Sequence, residues 1–100
     1  MRLSFYSDPG HGWLAVPLEL LDRLQLLDRV SHYSYLRGRL AHLEEDCDAS
    51  LFLATARDAG IAVTFRDITC RDRHSRIRNY DPYSPERAKR NLANIRGTVL

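Results

Sequence analysis

Ser7-Asp8-Pro9-Gly10-His11-Gly12 is a dense turn signal between two short apolar runs, Leu3-Ser4-Phe5-Tyr6 and Trp13-Leu14-Ala15-Val16. Proline presets φ and glycine permits positive φ, so the chain is expected to reverse here. Extended runs of this length on either side of a six-residue loop predict an antiparallel hairpin. With 100 residues the chain has room for about one domain and a modest core. An early hairpin then steers it toward an antiparallel sheet.

The rest of the chain agrees. Pro17 suits the first position of a helix, and Leu18, Leu21 and Leu24 follow at spacing 3, with Leu20 and Leu27 widening the stripe, over about 17–26. Residues 31–36 and 39–44 flank Arg37-Gly38 and read as a second hairpin. In that register Tyr35 faces Leu40 and Tyr33 faces His42; Ser34 with Ala41 and His32 with Leu43 lie on the other side. Asp46 or Asp48 can cap a second helix, which buries Leu51, Phe52, Ala56 and Ala59 and stops at Gly60. Residues 61–68 form a last strand with Ile61, Val63 and Phe65 on one face. The order β-β-α-β-β-α-β predicts an α+β fold with two short helices and a mostly antiparallel sheet.

Charge divides the chain. Residues 1–69 carry seven arginines against ten acids, while residues 70–100 carry seven arginines and one lysine against three acids. This places a domain boundary at 70: a compact unit, 1–70, and a basic arm, 71–100, whose residues 85–96 can form a helix. No apolar run approaches the ~20 residues that span a bilayer. The N-terminus lacks a secretory core, so the expectation is a cytoplasmic protein with Cys47 and Cys70 as reduced thiols.

Three groups carry candidate chemistry. In the first loop, Asp8 and His11 read as an acid–base or metal pair beside Trp13, or as turn chemistry over a core indole. Glu44, Glu45, Asp46 and Asp48 put four carboxylates into five residues. They read as a cation site, as an acidic patch for a basic partner, or as acids at a helix N-terminus. In the arm, Arg71, Arg73, Arg76 and Arg78, with Tyr80 and Tyr83 nearby, suit phosphate contacts and stacking, or a solvated edge. His11, His42, Cys47 and Cys70 lack the spacing of a zinc site. Cys47 near a helix start admits a lowered thiol pKa, and Cys47 with His42 a nucleophile pair.

Phe5-Tyr6-Ser7-Asp8-Pro9-Gly10-His11-Gly12-Trp13, Tyr33-Ser34-Tyr35, Leu43-Glu44-Glu45-Asp46-Cys47-Asp48-Ala49 and Ser75-Arg76-Ile77-Arg78-Asn79-Tyr80 resemble motifs in a group of small proteins encoded by bacteriophages, prophages and plasmids. The resemblance covers about residues 3–80. It implies a mobile-element origin and supplies no catalytic assignment. The leading expectation is a non-enzymatic accessory protein without a cofactor that binds a host protein, as an inhibitor of a bacterial defence system (anti-CRISPR or anti-restriction) would. The alternatives are a nucleic-acid-binding module using the arginine-rich arm, and a metal-dependent hydrolase or nuclease joining Asp8 and His11 to the acids at 44–48. A homodimer pairing basic arm with acidic half is a further expectation, and a membrane partner is not expected.

Overall fold

Alternation along the first two runs sets the sheet. In the computed structural model, which describes residues 1–71 and 74–97, β1 (Arg2–Ser7) and β2 (Gly12–Pro17) pair antiparallel, with Phe5 opposite Leu14 and Tyr6 opposite Trp13. Leu3, Phe5, Leu14 and Val16 therefore share one face, and Ser4, Tyr6, Trp13 and Ala15 the other. Every residue from Gly12 to Val16 is buried, so both faces of β2 must be covered.

Helices cover the first face. α1 (Leu18–Arg23) starts right after Pro17, which sits one position before the helix, and it stops sooner than the leucine spacing predicts. The reason is local: Gln25 takes φ 60, the amide of Gln25 donates to the Asp22 carbonyl and that of Leu26 to the Leu21 carbonyl. This is a Schellman motif with glutamine in the place usually held by glycine. α2 (Asp48–Asp58) ends the same way, with Gly60 at φ 78, as the sequence predicts. Its N-cap position is Cys47, with no side-chain cap, so neither Asp46 nor Asp48 caps it.

β3 (Tyr35–Arg37) and β4 (Leu40–Glu44) form the second hairpin around Gly38-Arg39. Tyr35 pairs with His42 and Arg37 with Leu40, a shift of two from the expected register. Gly38 has φ 58 at the first central position, where a two-residue loop of the II′ kind requires glycine. A two-residue shift keeps the faces: Leu36, Ala41 and Leu43 still turn toward the core. β4 also pairs with β2, Leu14 against Leu43 and Ala15 against His42.

β5 (Thr64–Thr69) lies parallel to β1 at one edge, and β6 (Asp81–Pro82) pairs with β3 at the other. The sheet order is β5-β1-β2-β4-β3-β6. The fold is the α+β, mostly antiparallel architecture expected, with a third helix, α3 (Pro85–Gly97). Phe65 is 46% exposed because its strand is at the edge, whereas Ile61 and Val63 pack on the core from the preceding loop.

The boundary at residue 70 does not survive. Tyr83, Ala88 and Leu92 belong to the same core as Leu14, Leu21 and Phe52. The Tyr83 hydroxyl donates to the Leu27 carbonyl at 2.6 Å, and Lys89 and Arg96 pair with Asp28 and Asp22. Burial, and then Asp28 and Asp48, push the Tyr83 phenol up from its ordinary value, so it stays a donor. The composition-based arm is the closing third of one domain.

Candidate functional site

The second face of the sheet is covered by the chain itself. Between β5 at one edge and β6 at the other, residues 74–80 run across this face as a strap. Ser75 opens a 3₁₀ turn, Arg76–Asn79, by accepting from the Ile77 amide, and Ile77 is buried.

Asp8 fastens the strap. Its side chain is fully buried and accepts five hydrogen bonds. Gly10 and His11 amides donate at 3.0 Å, the Ser75 amide at 2.8 Å, and the Arg78 fork at 2.7 and 2.9 Å. The Arg78 guanidinium, with these amides, holds the carboxyl well below the usual carboxylate range against the opposing effect of burial. A carboxylate so engaged has no capacity left for a metal or for proton transfer, which corrects the acid–base and metal readings of Asp8. His11 donates its amide to the Asp8 carboxylate, and its carbonyl accepts from the Asp8 amide. The residue is exposed, with its ring centre 6.0 Å from that of Trp13. Trp13 is buried with the Arg78 guanidinium 5.5 Å from its ring centre. The glycines make room for protein: a Cβ on Gly10 would lie 2.9 Å from Arg78 Nη2, and one on Gly12 2.5 Å from Phe5 Cζ.

The acidic cluster divides. Asp48, placed above with the exposed acids, is buried, a correction that follows from its partners: Oδ2 accepts from the Ser31 amide and hydroxyl and from the Ser34 hydroxyl. Ser34 in turn accepts from the Glu44 amide, tying the approach to β3 onto β4 and α2. Glu44 is half-buried, and only Glu45 and Asp46 are exposed. The loop and the cluster do meet, since the Glu45 amide donates to the Gly12 carbonyl. Among the described residues no three His, Cys, Asp or Glu side chains gather closely enough to hold a metal ion. Asp48, with burial and Glu44, pushes the Cys47 thiol up, opposite to the activation a helix start could give.

Between strap and sheet lies a cleft of about 1040 Å³. Tyr6, His42 and Ile68 line it from the sheet, and Arg71, Arg76 and Tyr80 from the crossing segment. The His42 ring centre is 6.0 Å from that of Tyr6 and 5.1 Å from that of Tyr80, and Arg37 lies 5.0 Å over Tyr80. His42 is 5% exposed, and its Nδ1 has no hydrogen-bond partner among the described residues. Burial, then Arg37, lowers its pKa to about 4, so it is neutral at physiological pH.

Strand register reveals more cations here than the sequence pattern does. Arg66 precedes Ile68 by two, and Arg2 precedes Tyr6 by four, so both lie on the cleft face. With Arg37, Arg71 and Arg76 they make five exposed arginines, none ion-paired among the described residues. The described carboxylates of this face are Asp8, engaged by Arg78, and Glu44, opposite Trp13 in the ladder. On the helical side acids and bases are interspersed: Arg39, Lys89 and Arg96 are tied to Glu19, Asp28 and Asp22, while Arg57 and Arg90 have no ion pair among the described residues. Of the arm residues, Arg78 turns inward as a clamp, and Arg73 falls outside the described residues. Tyr6, Arg2, Arg37 and Arg66 are absent from the sequence-based candidates, and His42 enters there only beside Cys47 or as a zinc ligand. Only the parity of β1, β3, β4 and β5 would have grouped them. No family model, curated protein or solved structure matches this chain.

Proposed function

We propose that this protein is an accessory protein of a mobile genetic element that binds single-stranded nucleic acid through its strap face. One observation carries the reading: five exposed arginines, none ion-paired among the described residues, share a face with half-buried Tyr6 and Tyr80. Arginine forks suit phosphate oxygens and the rings offer stacking planes, the combination that single-strand binders use. A cleft lined by rings beneath a crossing segment favours a flexible strand over a rigid duplex. Fluorescence anisotropy with labelled single strands at low and moderate salt tests it. Affinity should fall steeply with salt and drop when Arg71 and Arg76 are replaced by Ala. Absence of binding at low salt overturns the reading.

A second reading, binding of a host protein, is favoured by exposed Glu45 and Asp46 and by Tyr33, which is 66% exposed. It requires a stoichiometric host protein that the wild type retains and the Glu45→Arg/Asp46→Arg variant loses, with nucleic acid unbound.

A further inference from the structure

We propose that the cleft beneath the strap is a pocket for a single nucleobase, so that a bound strand lays one base against Tyr6 and Tyr80 over His42 while its phosphates meet Arg71 and Arg76. The inference rests on the nucleic-acid reading above and adds a site with its own selectivity.

Three features support it. The volume, about 1040 Å³, accommodates a nucleotide with room for its sugar and phosphate. The lining offers what a nucleotide carries: half-buried aromatic and aliphatic surface from Tyr6, Ile68 and Tyr80, hydroxyls and an amide from Ser7, Thr69 and Asn79, and the exposed guanidinium groups of Arg71 and Arg76. The third is His42, which lines the cleft, is more than nine-tenths buried and has a ring nitrogen with no partner among the described residues. Buried polar atoms are nearly always paired, so this one marks an incomplete hydrogen-bond set. A base edge carries both donors and acceptors and can complete it after a small rotation of the ring. A bare phosphate would use the arginines and leave the rings idle. A duplex keeps its Watson–Crick edges paired and its bases stacked, so it could not seat one base in the cleft.

The test uses the full chain and two probe sets: the four ribonucleoside monophosphates, and homopolymers of about ten nucleotides. NMR should show the His42 ring and the Ile68 methyls shifting with at least one monophosphate, and homopolymer affinities should differ by about tenfold or more between bases. Tyr80→Leu and, separately, Tyr6→Leu should flatten that difference while keeping the salt dependence, with unchanged melting temperature confirming the fold. Should Tyr6→Leu fail to fold, Tyr80→Leu and the wild-type titration still decide. Equal binding of all homopolymers with an unperturbed cleft overturns the pocket and leaves the arginine face standing. Monophosphate binding without any polymer binding keeps the pocket and overturns the broader reading. No binding of either overturns both and leaves the cleft to a protein partner.

Discussion

Asp8 links two parts of the chain 70 residues apart through its pairing with Arg78. Its replacement by Asn keeps the carbonyl oxygen but sets an amide donor against the Ser75 amide and Arg78 Nε. Removing one partner of a buried ion pair costs about 3–5 kcal/mol, and because Arg78 is a quarter exposed the lower end is expected, read by urea unfolding. Acid should destabilise the protein in two windows. His42 has a folded pKa of about 4 against an ordinary 6.5, so the unfolded chain takes up the proton first. Stability is unaffected above about pH 6.5 and falls toward pH 4, by about 3 kcal/mol in all. Asp8 is shifted the other way relative to its charge: its stabilisation is full above the ordinary 3.8 and drains as pH falls below that value toward its depressed folded pKa. His42→Leu should abolish the first window and leave the second, in melts taken at intervals from pH 8 to 3.

At the scale of elements, the two Schellman endings offer a paired comparison. Gly60 holds the left-handed position at little cost, whereas Gln25 holds it against its own Cβ. Gln25→Gly should therefore stabilise the domain by about 0.5–1 kcal/mol, net of the freer unfolded chain, while Gly60→Ala should destabilise it by a similar amount. Chemical denaturation reads both. These endings also mark what the residues disclose. Gly60 announces itself; Gln25 does not, because the left-handed turn there is fixed by the amides of Gln25 and Leu26, and the leucine spacing runs on past it. The hairpin at Gly38 was legible in kind and in faces, and its register differed by two because Ser31 and Ser34 turn inward to Asp48. A serine has no local signal that it will serve a carboxylate 14 or 17 residues away. The strap was the least legible element. Residues 74–80 have little periodicity, and what holds them is Asp8, a residue that reads equally well as turn chemistry. Composition grouped the arginines of 71–78 as one patch, and the structure separates Arg78 from them by giving it a buried partner.

For the molecule as a whole, what sets the strap face apart is the gathering of its cations around one cleft. Helix-side Lys89 and Arg39 sit beside carboxylates, so a polyanion must compete for them, and exposed Arg57 and Arg90 stand apart on α2 and α3. Arg2, Arg37, Arg66, Arg71 and Arg76 instead share one face, none of them ion-paired among the described residues. Counterion release turns that difference into a measurable slope. For a single strand the logarithm of the binding constant falls with the logarithm of salt at roughly 0.7 per phosphate neutralised. With five arginines engaged, the slope should be roughly −3.5. Each Arg→Ala change on the strap face should reduce its magnitude by roughly 0.7, whichever base is present, because phosphate contacts carry no sequence. Arg39→Ala and Lys89→Ala should leave it unchanged. Arg66 and Arg71 make the discriminating pair, one on β5 and one just beyond it: equal losses at both mean that the strand follows the edge of the sheet into the cleft. A slope that responds to Lys89 as much as to Arg66 means diffuse attraction to net charge, and the face as a specific binding surface is then ruled out.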